Sequence, residues 1–449
     1  MTEHIQTGHL GISLEMQENA TTLSLPPLEL WGGMEPTINR VGECFFDQIE
    51  RSGHLTRSGD LELFASLGLR KLRYALHWER FEATGSWESF DGKLAEMRRL
   101  GVDPIVGLVH HGSGPPHTSL LDLDFPEKLA AYALQVAERY PWVGSYTPVN
   151  EPQTTARFSG LYEHWYPHHR SMASYVRAIV NQVKASVLAM RAVRTVNPKA
   201  QFVHTEDGGK TWSTIELEQE RALREHRRWL GVDLLCGRVD ERHPLFQFLL
   251  DHGISAEEIL WFTQNPGPPD VLGLNYYATS DRFLDHRTHL YPAGYVGGET
   301  GAEALVDVEA VRIRQQGIAG AEMILLDAWE RYGLPVAITE AHLGGTPEEQ
   351  LRWLSQVWRG AEAARAKGAN CVAVTVWALL GSFDWCYLVT RDAGVYEPGV
   401  FDISSGLPRR TELADLVERL ARGLTPAEIP DPNGGWWARE DRLTYPAAD

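Results

Sequence analysis

The chain has 449 residues, 43% of them hydrophobic, and a formal net charge of −18. That length suits one α/β barrel with insertions as well as two or three average domains, and it allows a large core without disulfide or metal staples. The negative charge argues against a nucleic-acid partner, because such binding begins by neutralising phosphates, and it reads as ordinary solubility.

No uninterrupted apolar run reaches the ~18 residues that a membrane helix needs, and residues 1–20 lack a basic segment leading into an apolar one. A soluble, cytoplasmic protein with no membrane partner is expected. Cys44, Cys236, Cys371 and Cys386 stand without metal-ligand spacing and read as core thiols in a reducing compartment.

In chain order, eight short apolar runs read as strands: 28–31, 71–76, 104–109, 144–149, 201–205, 271–275, 335–339 and 371–377. Between them, segments 60–67, 90–100, 126–140, 172–196, 308–332 and 347–366 carry apolar residues at three- and four-residue steps, the period of an amphipathic helix. Buried strands alternating with helices are the pattern of βα units around a parallel sheet, and eight alternations predict an α/β protein of the closed (β/α)8 TIM-barrel type. The expected division is an N-terminal extension over 1–27, a barrel with elaborated βα loops over 28–423, and an extended tail over 424–449 that packs on the barrel or leads towards a further domain. Residues 279–301, rich in His, Tyr and Gly and without a period, read as a long loop over the barrel mouth.

The fourth apolar run delivers Asn150-Glu151-Pro152, and the seventh delivers Glu340 just before Ala341-His342-Leu343-Gly344-Gly345. In this barrel type, catalytic groups lie at the C-terminal ends of the strands. Glycoside cleavage needs two carboxyl groups flanking one bond: one protonates the leaving oxygen, and the other attacks the anomeric carbon or activates water. Either motif alone also fits a turn or a surface strand end. The pairing gains weight from other predicted strand ends, which carry Arg73, His110-His111, Asn275-Tyr276-Tyr277 and Trp377. His77, His111, His164, His168 and His169 read as loop or core histidines. No cofactor and no metal are expected, with Glu163-His164 and His168-His169 the one weak hint of ligand spacing.

Over residues 28–420 the order of these motifs resembles glycoside hydrolase family 1, a family of barrel β-glycosidases. The family's Asn-Glu-Pro is similar to Asn150-Glu151-Pro152 and its Ile-Thr-Glu to Ile338-Thr339-Glu340. Its Arg-Phe-Ser looks like Arg73-Tyr74-Ala75, its His-Trp-Asp like His110-His111-Gly112, and its Asn-Tyr-Tyr like Asn275-Tyr276-Tyr277. The C-terminal aromatic motif resembles the segment from Trp377 to Trp385. The resemblance implies a retaining β-glycoside hydrolase of carbohydrate metabolism, with Glu151 as acid/base and Glu340 as nucleophile. Arg73 and Tyr277 would keep Glu340 ionised, and Asn150, His110, Asn275, Trp377, Asp384 and Trp385 would contact the sugar.

The departures bear on the substrate. The family's strand-one glutamine has no counterpart in Trp31-Gly32-Gly33-Met34-Glu35-Pro36-Thr37-Ile38-Asn39-Arg40, its C-terminal glutamate is shortened to Asp384, and the tryptophan after its strand-three histidine becomes His111. A non-standard glycone pocket is therefore expected, to which Glu35, Asn39 or Arg40 could contribute. Glu206 and Asp207, after the fifth run, read as solvated loop acids. Two other readings use the same features: a transglycosylase with the same carboxylate pair, and a barrel that binds carbohydrate without turnover.

Overall fold

The computed structural model describes residues 25–297, 304–426 and 434–445. Strands β1 (Glu29–Gly33), β2 (Lys71–Ala75), β3 (Asp103–His110), β4 (Ser145–Asn150), β5 (Gln201–Asp207), β6 (Val271–Asn275), β7 (Val336–Ala341) and β8 (Cys371–Val376) lie parallel, each beside its chain neighbour. The barrel closes at β1, where Leu30 pairs with Val374 of β8 and Gly32 with Leu72 of β2. All eight expected strands are present.

The principal helices that follow these strands are α1 (Asp60–Ser66), α2 (Glu88–Leu100), α3 (Phe125–Arg139), α4 (Met172–Val196), α5 (Glu218–Leu235), α6 (Gly320–Tyr332), α7 (Pro347–Ala366) and α8 (Glu412–Ala421), with shorter helices in the connections. Local chemistry sets their starts: the Ser171 side chain accepts from Ser174 N at 3.1 Å before α4, and Thr346 accepts from Glu349 N before α7, whose first residue is proline. Inward faces such as Trp353, Leu354, Val357 and Trp358 of α7 join the main core. Among the described residues, no helix is long and apolar enough to cross a membrane.

Trp31, Ile105, Val203, Val271, Ala337 and Ala373 form a separate apolar cluster contributed by six of the barrel strands. Nearer the C-terminal ends the packing turns polar: Thr205 Oγ1 donates to Asn150 Oδ1 at 2.8 Å, and Thr339 Oγ1 donates to Asn275 Oδ1 at 2.7 Å. Glycine lets an aromatic ring descend there, since a Cβ on Gly33 would stand 2.3 Å from the Trp377 ring.

Three expectations need correction. Segment 308–332 is not one helix: Leu305–Glu309 is a strand in which Val306 and Val308 are buried while Asp307 and Glu309 are partly exposed, a period of two. Positive-φ Gly317 and Gly320 then delay the start of α6. Residues 279–301 are not a plain loop, because Arg282–Asp285 and Val296–Gly297 join Leu305–Glu309 and Thr211–Ser213 in a four-stranded sheet with its own apolar cluster of Phe283, Tyr291, Val306, Val308, Ala310 and Ile313. Residues 298–301 of that stretch lie outside the described residues. Of the four free thiols only Cys371 is a core residue; Cys236 is half-buried, and Cys44 and Cys386 are exposed.

Most of the expected 1–27 extension, and parts of the 424–449 tail, also lie outside the described residues. Within the tail, Trp437 sets its ring edge-on to Trp353 of α7 at 5.1 Å and donates to Gln356 at 2.7 Å. Arg442 donates to the carbonyl oxygens of Arg314 and Gln315, tying the tail to the segment ahead of α6.

Candidate active site

Chain direction through the barrel brings Glu151 and Glu340 into one cavity of ≈ 790 Å³, whose wall also includes Glu35, His111, Glu206, Tyr277, Trp377 and Trp385. Glu151 follows directly on β4 and caps the short helix Pro152–Ala156 from a left-handed backbone (φ 45°). Non-glycine residues avoid this region, which costs on the order of 1–3 kcal/mol. A hydrogen bond from Glu151 N to the Thr205 carbonyl at 3.0 Å holds the turn.

Glu340 stands within β7 and is almost fully buried. Arg73 Nη1 donates to its Oε1 at 2.7 Å, and the Tyr277 hydroxyl donates to its Oε2. The same guanidinium donates to the Thr339 carbonyl at 2.8 Å and, through Nη2, to Asn150 Oδ1 at 2.6 Å, and it lies 4.7 Å from the centre of the Trp377 ring. Burial pushes the Glu340 carboxyl up, against the downward pull of Arg73, Tyr277 and Asn275.

Glu151 is placed differently. Its Oε1 accepts from Asn275 Nδ2 at 2.6 Å, and His111 Nε2 is 3.9 Å from its Oε2. Burial, then the charges of Glu340, Asp207 and Glu206, drive this carboxyl well above the usual carboxylate range. Both neighbouring histidines are neutral: burial holds His110 well below its ordinary value and His111 at about 3.

Arg73, Asn150, His110 and Asn275 stand behind the cavity wall and hold the groups that form it. Asn150 Nδ2 lies 3.1 Å from His110 Nε2 and 3.4 Å from His111 Nε2, while the His110 ring stacks on Trp377 at 5.8 Å. Trp385 lines the cavity with a buried indole N–H that has no partner among the described residues.

Asp384 departs from its expected place. It is fully buried, yet its Oδ2 accepts from Arg51 at 2.8 Å and from Ala393 N at 3.0 Å, and its Oδ1 accepts from Val395 N at 2.8 Å. This carboxylate organises the 393–395 turn and is absent from the cavity wall. Arg40 is likewise engaged elsewhere, with Glu43, the Gly42 carbonyl and the Tyr166 ring, and Asn39 donates to the Val389 carbonyl.

Glu35, by contrast, does reach the site. Its Oε1 accepts from Thr37 N at 3.0 Å, its Oε2 accepts from Trp377 Nε1 at 3.2 Å, and burial together with the Glu340 charge raises it to about 7. Glu206 is also no solvated loop acid: it is buried in the wall, accepts from Gln153 N at 3.2 Å, and is raised by burial to about 8. Asp207 is partly buried and paired with Arg157 at 3.2 Å. His168 Nε2 accepts from Gly42 N at 2.9 Å, and His164 packs on Phe158. Among the described residues, no group of three or more His, Cys, Asp or Glu is arranged to hold a metal ion.

No family model matches the chain. It is 22% identical over 435 residues to thermostable beta-glucosidase B of Thermobispora bispora, covering 87% of this chain and 85% of that protein. It is 23% identical over 290 residues to a 6-phospho-beta-glucosidase of Dickeya chrysanthemi, covering 60% of this chain and 61% of that one. Among solved structures, a beta-glucosidase from Thermotoga maritima in complex with deoxynojirimycin superposes with a TM-score of 0.70 at 18% identity, covering 88% of this chain and 98% of its own. The family 1 beta-glucosidase from the same organism superposes with a TM-score of 0.70 at 17% identity, covering 90% and 99%. The chain thus shares its fold, a closed (β/α)8 barrel, with these beta-glucosidase structures.

Proposed function

We propose that the chain is a retaining β-glycosidase in which Glu340 attacks the anomeric carbon and Glu151 protonates the leaving oxygen. The supporting observation is the unequal setting of the two carboxyl groups. Glu340 carries a guanidinium on one oxygen and a phenol on the other. The groups acting most strongly on Glu151, besides burial, are three other carboxylates. One proton shared between such neighbours stays on Glu151, so the acid and the nucleophile are in the right states together.

In the first step, an oxygen of Glu340 forms a bond to the anomeric carbon as the glycosidic bond breaks, and the Glu151 proton goes to the departing oxygen. In the second step, Glu151, now a carboxylate, takes a proton from water. The water oxygen displaces Glu340 and returns the sugar with its configuration kept. Trp377 and Trp385 supply faces for the ring.

The pocket is that of an unusual glycone. The family-type C-terminal carboxylate is withdrawn, since Asp384 is spent on its own turn, while Glu35 adds an acid beside Glu340. Lost hydrogen bonds to sugar hydroxyls cost about 1–3 kcal/mol each where a buried partner is left unmatched. Aryl β-glucoside is therefore expected to have a low kcat/KM beside a fucoside, galactoside, xyloside and glucuronide panel. A clear preference for the plain glucoside would overturn this pocket assignment.

With the best aryl substrate of that panel, rapid mixing separates the two steps. Glu340→Gln should release no burst of the aryl group, because an amide does not form the glycosyl-enzyme. Glu151→Gln should keep most of the burst when the leaving group is good, and should lose the second step by about 100-fold or more, as it lacks the general base. Equal loss of both steps in Glu151→Gln would count against the assignment.

Glu35 gives the pH profile a distinct feature. Its carboxyl, raised to about 7, is neutral below that pH and ionised above it. Ionisation places a second negative charge beside Glu340 and opposes the loss of the Glu151 proton to the leaving group. The kcat/KM profile should therefore fall through an inflection near pH 7 that Glu35→Gln removes. A profile that is unchanged in the variant would contradict this.

A further inference from the structure

Glu151 stands at the N-cap of the helix Pro152–Ala156. An oxygen-bearing side chain at that place commonly folds back to accept from the second or third N–H of its own helix. Glu151 makes no such bond, and its Oε1 accepts from Asn275 of β6 instead. The helix still has a donor to satisfy. Its first residue is proline, which brings no N–H, so the buried Gln153 carries the first backbone donor without a partner inside the helix.

That donor is taken by Glu206, the residue after Thr205 on β5. Glu206 Oε2 accepts from Gln153 N at 3.2 Å, and its Oε1 accepts from Asp207 N, also at 3.2 Å. Three successive residues of β5 therefore clasp the Glu151 turn: the Thr205 carbonyl takes Glu151 N, Glu206 takes Gln153 N, and Asp207 Oδ2 takes the Arg157 side chain at the far end of the short helix, at 3.2 Å. From α4, Gln182 donates to the Pro152 carbonyl at 3.0 Å. A left-handed residue such as Glu151 persists where its surroundings over-determine it, and these contacts do so.

We propose that Glu206 is a positioning residue for the acid/base: it caps the helix in place of the Glu151 side chain and so leaves the Glu151 carboxyl free to face the glycosidic oxygen. The proposal rests on the reading of Glu151 as the proton donor. Without the Glu206 oxygens the Gln153 N–H is unmatched in a buried wall, and N-cap geometry places the Glu151 carboxyl to turn back to it.

Leaving-group dependence reads this out. For a retaining enzyme kcat/KM reports the first step, in which a dinitrophenyl glycoside needs little protonation and a phenyl glycoside needs much. Glu206→Met removes both acceptors from a side chain of similar length. It should raise the ratio of kcat/KM for dinitrophenyl over phenyl glycoside about tenfold or more above the parent's. Glu206→Gln removes the charge but keeps an acceptor oxygen, and should hold the ratio within about threefold. In a Glu151→Gln background, where the acid is already gone, Glu206→Met should move the ratio no further. A ratio that stays at the parent's value in Glu206→Met, one that rises as far in Glu206→Gln, or a further rise in the double variant would overturn the assignment. Should the methionine variant show no cooperative thermal transition, Glu206→Gln carries the test, since a tenfold rise there contradicts a role through hydrogen bonding. A ratio in Glu151→Gln alone no higher than the parent's would overturn the proton-donor reading instead.

Discussion

The Arg73 guanidinium is buried among barrel side chains and ties together strand ends that are far apart in the chain. One side donates to Glu340 Oε1 and the Thr339 carbonyl, the other to Asn150, the residue just before Glu151. An uncompensated buried charge costs several kcal/mol, and breaking such a pair by removing one partner typically costs about 3–5 kcal/mol. The cation therefore fixes where β2, β4 and β7 present their ends, and it also sets a positive charge against the Glu340 carboxyl. Stability and chemistry draw here on the same hydrogen bonds.

Once Glu340 is held by a cation, the behaviour of the other acids follows from proximity. Glu151, Glu35 and Glu206 are all buried in one cavity wall, and all are raised above the ordinary carboxylate range. A low-dielectric cavity with one firmly held carboxylate favours neutral forms for its neighbours. Neutral His110 and His111 add no competing positive charge. Asn275, which bridges from β6 to Glu151 at 2.6 Å and accepts from Thr339, keeps the two halves of the site in register.

The barrel was legible because each strand is a compact apolar run and each principal gap holds helical periodicity or room for it. The glutamates were legible because they terminate two of those runs. Other features had weaker signatures. An inner strand of the four-stranded sheet, Leu305–Glu309, alternates only over its last four residues, too short a stretch to separate from the helical pattern that follows it. Glu35 lies two residues beyond β1, and nothing local distinguishes it from a loop acid; only closure of the barrel brings it to Trp377. Asp384 shows the converse. A motif fixes a position along the chain and says nothing about where a shortened carboxylate points, and here the 393–395 backbone and Arg51 take it. Glu206, read from the sequence as a solvated loop acid, likewise owes its place to a distant partner, the Gln153 N–H in the helix after Glu151.

The central claim is that Glu340 forms a bond to the sugar while Glu151 handles protons on the other side of the reacting centre. The stereochemistry of the first-formed product tests it most directly. Proton NMR of a β-glycoside hydrolysate, followed from the first turnovers, should show the β-anomer of the released sugar appearing first and mutarotating only later. Initial appearance of the α-anomer would mean a single displacement by water, and would contradict the assignment of Glu340 as a nucleophile.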